Sequence, residues 1–203
     1  MAVPGPNLIL ASASPRRSDL LRQIGVVFAV SPVDIDEKQL SGEEPKDFVC
    51  RLAVEKARVG FLRQLDADPG RKLPVLGADT IVVCGEEVFG KPENADHAFA
   101  MLKALSGTTH CVFSAVAVCD SVKCNVVLSE TRVTFRTLTI EEIATYWASG
   151  EPQGKAGAYA IQGLGGIFVT RLEGSYSGVV GLPLMETAQL LKEFAVPVWT
   201  DKT

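Results

Sequence analysis

A chain of 203 residues, 47% hydrophobic and 22% charged, has the length for one well-buried domain and too little for two comfortable ones. A net charge of -4 and a pI near 5.3 exclude a general nucleic-acid or membrane-surface binder, so any positive charge offered to an anion must be focused locally. The chain holds no apolar run of membrane-spanning length, its start lacks the basic n-region of a signal peptide, and a cytoplasmic address is expected.

In chain order, "NLILAS" reads as a short strand. "SPRRSDLL" follows as a helix, with Ser14 suited to the N-cap, Pro15 to the first helical position and Gly25 to the end. "VVFAVSPV" is extended, and a long helix runs from about Pro45 to Leu65, with Phe48, Leu52, Val59 and Leu62 as its apolar stripe. After the polar loop "LDADPGRKLP", "VLGADTIVVC" is a buried strand broken by a polar pair, and "GEEVFGKP" a turn with a short return strand. Ala98, Met101, Leu102 and Leu105 recur at helical spacing and Gly107 terminates. "CVFSAVAVCD" and "NVVLSETRVTFRTL" suit a hairpin, and Thr139 with Glu142 forms a capping box for a helix through Trp147. "AYAIQG" and "GIFVTRLEG" read as strands and "GLPLMETAQLLKEF" as a closing helix, while the first few residues and "WTDKT" look loose. The order predicts a mixed α/β, α+β-like domain over residues 1–203, a twisted mixed sheet flanked by helices.

Several charges sit where a purely structural sequence would place apolar groups. Arg16 and Arg17 occupy the first turn of a helix, whose N-terminus is already positive; the plain reading turns both side chains to solvent, and an anion such as phosphate bound there is the alternative. At about 100° per residue, Lys56 falls at roughly 80° from Phe48, between Leu52 at about 40° and Val49 at about 100°, so its stem leaves along the buried face. It either snorkels or reaches a cleft that binds an anion. Asp79 interrupts a buried strand, where it is either paired structurally with an arginine or kept ionised among cations to hold a metal or take a proton from water. Gly77 lets backbone or ligand come close. Lys91 lies in the rigid turn "FGKP", and Glu37 ends "VDIDE", a solvated acidic loop unless it adds a second carboxylate for a divalent ion.

Other patterns fail. "GK" lacks the spacing of a phosphate-binding P-loop, and "GLGG" after Gln162 fails the dinucleotide pattern. Cys50, Cys84, Cys111, Cys119 and Cys124 are odd in number and form no C-x-x-C pair, so neither a disulfide scaffold nor a zinc site is indicated. His97 and His110 stand in unrelated contexts and read as structural or surface residues.

Taken in order, "LASASPRRSDLL", "RLAVEKA", "VLGADTIVV", "GKP", "MLKALSGTTHCVFSAVAV", "VTFRTL", "ASGEPQGKAGAYAIQGLGG" and "GSYSGVVGLPL" closely resemble Maf proteins over nearly the whole chain. The resemblance implies a fold related to the inosine triphosphatases. It also implies hydrolysis of a nucleoside triphosphate between the α and β phosphates, to a monophosphate and pyrophosphate, with a divalent cation (Mg2+ or Mn2+). Position by position it makes Asp79 the proton acceptor, Ser12, Arg16, Arg17, Lys56 and Lys91 substrate-binding, and Glu37 with Asp79 the metal carboxylates. Arg17, Thr80 and Gln162 resemble the branch acting on dTTP and UTP. A glutamine carboxamide offers both a donor and an acceptor to the edge of uracil or thymine, and cytosine would face it with mismatched donors. Without the resemblance, Gln162 reads as a strand-end amide satisfied by backbone. Glu151 and Lys155 belong to a loop that contributes to the pocket or its lid. By analogy the protein is a homodimer. The alternatives are a non-catalytic nucleotide-binding regulator of septum formation, a pyrophosphatase for a modified purine triphosphate, or a phosphatase releasing inorganic phosphate.

Overall fold

The computed structural model describes residues 5–68, 70 and 72–199; residues 1–4 and 200–203 of the expected loose ends, and Pro69 and Arg71 of the expected polar loop, lie outside them. The chain clusters into two compact units, Met1–Asp79 with Ser114–Ser129 and Gly181–Thr203, and Thr80–Phe113 with Glu130–Val180. Seven strands form one mixed sheet in the order β2-β1-β3-β5-β6-β7, with β4 paired to β3.

In the first unit, β1 (Leu8–Leu10) runs parallel both to β2 (Phe28–Val30) and to the start of β3 (Val75–Cys84). Helix α1 (Pro15–Gln23) begins after Ser14 as expected, but the Ser14 side chain makes no capping bond; Gly25, at φ +71°, closes the end. Helix α2 (Pro45–Ala67) buries Phe48, Val49, Leu52, Ala53, Lys56, Ala57, Gly60, Phe61 and Gln64. This face is rotated from the expected stripe, since Leu62 is 60% exposed. Glycines cause the rotation. A Cβ at Gly60 would meet Val75 at 2.9 Å and Ala11 at 3.0 Å, and one at Gly77 would meet the Ala53 carbonyl at 2.3 Å, so α2 lies directly on the strand backbones. Ile9, Ala11, Phe61 and Val75 make the core beneath it. Helix α6 (Leu184–Glu193) closes the unit, burying Thr187, Leu190 and Leu191.

The long strands β5 (Thr109–Cys119) and β6 (Cys124–Phe135) are neighbours joined by a four-residue turn, as expected of a hairpin. Cys119 and Cys124 are joined by a disulfide across that turn. The cysteine spacing gave no sign of this pairing, because the two residues meet only through strand register.

In the second unit, β4 (Glu87–Phe89) returns antiparallel along β3. Helix α3 (Ala95–Leu105), capped by Asn94, buries the four residues expected of it. Helix α4 (Ile140–Ala148) starts with the expected capping box of Thr139 and Glu142. They pack into a core that includes Met101, Leu102, Val133, Phe135, Tyr146 and Phe168. Two expectations fail here. "AYAIQG" is not a strand: Gly157 and Ala158 have φ of +67° and +58°, and the segment coils through a 3-10 turn, Ala156–Ala158, into the bend that holds Gln162. A second 3-10 turn, Leu164–Phe168, delays β7 (Val169–Glu173) and leaves only that part of "GIFVTRLEG" extended, antiparallel to β6. The short helix α5 (Tyr176–Val180) carries no expected periodicity and was not legible.

Candidate functional site

The first unit gathers most of the singled-out charges. Lys56 leaves the middle of the buried face of α2, and because Gly77 allows β3 to touch that helix, its ammonium reaches Asp79 on the strand. It donates to Asp79 Oδ1 at 2.7 Å and lies 2.5 Å from Glu37 Oε1. Lys56 and Asp79 are only 7% and 8% exposed. Lys56 therefore does not snorkel, and the partner of Asp79 is a lysine rather than an arginine. Asp34 and Asp36 remain exposed, as a solvated acidic loop requires, while Glu37 leaves that loop for Lys56.

Arg17 is half-buried and fixed on two sides. Its Nε donates to the Gly181 carbonyl at 3.0 Å and its Nη1 to Ser12 Oγ at 3.1 Å. The buried Ser12 hydroxyl also accepts from the Ser14 N–H at 3.2 Å, so it ties the arginine to the entry of α1. Burial lowers the Arg17 guanidinium from its ordinary value; Asp79 and Glu37 push it back up, and neighbouring Arg16 pushes it down. Arg16 is half-buried too, and burial lowers it. These opposing influences put Arg16, Arg17, Glu37 and Asp79 in one electrostatic neighbourhood. With Lys56, cations and carboxylates are gathered at one place.

Within the second unit, Thr80 follows Asp79 on β3. Successive strand side chains point to opposite faces, so its role is separate from that of the aspartate. Lys91 is exposed just past β4. Gln162 is exposed in a bend, not at a strand end. That bend is pinned by Glu151 of the "SGEPQGKAGAY" stretch and by Tyr146 of α4. Glu151 accepts from the N–H groups of Leu164 (2.9 Å) and Gly165 (3.0 Å), and the Tyr146 hydroxyl donates to Glu151 at 2.7 Å. Glu151 was singled out in the sequence; Tyr146 was not, because an aromatic at a buried helical position reads only as core.

His110 is structural, as expected. It is buried, Nε2 lies 2.9 Å from the Tyr159 hydroxyl, and Nδ1 has no partner. Among the described residues no group of three or more His, Cys, Asp or Glu side chains gathers for a metal, and no helix is long and apolar enough to cross a membrane.

Comparison with known proteins places the chain in a family. A family model described as Maf-like protein matches residues 7–194. A protein of Alkalilimnicola ehrlichii described as dTTP/UTP pyrophosphatase is 54% identical over 192 residues, covering 94% of each chain. Proteins of the same description from Pseudoalteromonas atlantica and Escherichia coli K12 are 53% and 54% identical, covering 93% of this chain and 97% and 93% of theirs. The matched range, residues 7–194, runs through both units, and this chain belongs to the Maf family.

Proposed function

We propose that this chain hydrolyses dTTP and UTP to the monophosphate and pyrophosphate, acting as a single cytoplasmic catalytic domain over residues 1–203 and as a homodimer. The observation that carries the reaction class is the buried Lys56–Asp79 pair with Glu37, beside Arg17. A protein that only binds a polyanion gains nothing from two carboxylates there, which argues against a non-catalytic regulator. The substrate rests on the relatives, whose description is dTTP/UTP pyrophosphatase.

In this reading Arg16, Arg17 and Lys91 take the phosphate chain. Arg17 is held at Gly181 and Ser12 so that the rest of its guanidinium fork is presented without further ordering. Asp79 accepts the proton of a water that attacks the α-phosphorus; the new oxygen–phosphorus bond forms as the bond to the bridging oxygen breaks and pyrophosphate leaves with its electron pair. Lys56 holds Asp79 in place and draws Glu37 toward it. Two carboxylates meeting at one point suit a hard divalent cation such as Mg2+, which binds through one or two carboxylates plus substrate phosphates, so Glu37 and Asp79 are the residues that would hold it. Such an ion supplies neutralisation of charge developing on the phosphates. Gln162 reads the base edge with its carboxamide, and Thr80 adds a hydroxyl.

The test is incubation with Mg2+ and, separately, UTP, dTTP, CTP, GTP and ATP, with products separated by ion exchange. Monophosphate and pyrophosphate from UTP and dTTP are expected; inorganic phosphate as the product, or turnover of purines alone, overturns the reading. Asp79→Asn should cut turnover by at least about a hundredfold while nucleotide binding persists. Turnover near wild type in that variant removes Asp79 from the mechanism.

A further inference from the structure

The bend that carries Gln162 is gripped from both sides by two side chains that the reaction does not use. Tyr146 is 5% exposed, with its ring set edge-on to Phe168 at 5.0 Å, so its hydroxyl occupies a fixed point. That hydroxyl accepts from the Ala160 N–H at 3.0 Å, two residues before Gln162, and donates to Glu151 Oε1 at 2.7 Å. Glu151 in turn takes the N–H groups of Leu164 and Gly165, two and three residues after Gln162. The chain is therefore tied immediately before and after one exposed glutamine.

The glycines around it record how closely this grip is drawn. A Cβ at Gly163 would meet Glu151 Oε2 at 2.1 Å, and one at Gly165 would meet the Tyr146 hydroxyl at 2.6 Å. "GLGG" is thus the space that a carboxylate and a phenol need in order to reach a backbone, which is why it fits no nucleotide-binding pattern. Burial alone would raise the Glu151 carboxyl; the Gly165 and Leu164 N–H groups, the Tyr146 hydroxyl and nearby Lys155 together hold it below its ordinary value, so the grip is kept as an anion.

We propose that Tyr146 and Glu151 are positioning residues for base selection, fixing the bend so that Gln162 offers its carboxamide in one orientation; this rests on the reading of Gln162 given above. The chemistry makes orientation decisive. A carboxamide turned over exchanges its donor and acceptor, and the exchanged pattern suits cytosine as well as the original suits uracil. A slack bend therefore costs discrimination before it costs rate.

The experiment measures kcat and KM for UTP and for CTP in the wild type, Gln162→Ala, Tyr146→Phe and Glu151→Gln. In Tyr146→Phe and Glu151→Gln the ratio of kcat/KM for UTP over CTP should fall at least about tenfold, the size of one well-aligned hydrogen bond, with kcat for UTP within about threefold of wild type. An unchanged ratio in folded variants overturns the proposal, because a residue that served stability alone would leave the ratio where it was. Glu151→Gln keeps the size and one acceptor, and Gly163→Ala pushes on the same carboxylate from the other side, so the ratio is read even where Tyr146→Phe does not fold. If Gln162→Ala moves the ratio and the grip variants do not, the positioning role fails alone. If Gln162→Ala leaves it unmoved, the reading of Gln162 fails and this inference with it.

Discussion

Asp79 and Glu151 are both carboxylates that accept from protein donors, but the donors differ in kind. Asp79 faces a lysine ammonium that it shares with Glu37. Glu151 faces two peptide N–H groups and a phenol. An ammonium on a flexible stem can be drawn off by a phosphate or displaced by a divalent ion, and the carboxylate it leaves is then available to a water. Peptide N–H groups have nowhere else to go. The first arrangement is suited to a group that must change partners during a reaction, and the second to one that must not.

The largest effect should come from breaking the exchangeable pair. Lys56→Met keeps the apolar stem and removes the charge, leaving Asp79 buried without the ammonium at Oδ1, whereas Glu37 is 43% exposed at its side chain. Loss of one partner of a buried pair costs about 3–5 kcal/mol. Urea unfolding should show that loss, and Lys56→Met combined with Asp79→Asn should recover most of it. A double variant as unstable as Lys56→Met alone would mean that Asp79 is not the residue left stranded.

A smaller effect belongs to the second unit, whose interior holds His110. Burial pulls His110 down to about 4, below the ordinary histidine value of 6.5, and its unpartnered Nδ1 explains why the charged form is not tolerated. The folded pKa lies below the unfolded one, so stability is full above pH 6.5 and declines as pH falls toward 4, where the unfolded chain takes a proton that the folded chain refuses. Between pH 6.5 and pH 5 this amounts to about 2 kcal/mol. His110→Gln should flatten that slope; a slope unchanged in the variant assigns it to other groups.

What could be read without coordinates follows the same division. Asp79, Lys56 and the arginines were legible because a charge inside an apolar period is costly and so demands a reason. Helices α3 and α4 were legible because their caps and spacing are local. The face of α2 was misplaced because glycine contacts, not apolar content, decide which side meets the sheet, and Leu62 carries no mark of its exposure. "AYAIQG" deceived for a related reason. Alternation of small and aromatic residues imitates a strand, yet three consecutive buried residues, Ala158–Ala160, are held there by Tyr146 and the Gly90 carbonyl rather than by a sheet edge. A grip made of peptide N–H groups leaves no trace in residue types, since every residue but proline has one.

The finest comparison concerns Arg17, which belongs to the exchangeable region yet is anchored like the fixed one. Its Nε and Nη1 are spent on Gly181 and Ser12, two acceptors that only a planar fork can meet at once. Arg17→Lys preserves the charge and surrenders one of these contacts at least. If the anchoring matters as much as the charge, KM for UTP should rise about tenfold, the value of one charge-assisted hydrogen bond, while kcat stays within about threefold. Arg17→Met, which removes both, should raise it further. Equal KM values for the lysine variant and the wild type would reduce Arg17 to a point charge and leave the Ser12 contact as part of the helix entry alone. A larger fall in kcat than rise in KM would instead place the guanidinium on the leaving pyrophosphate, where charge develops only in the transition state.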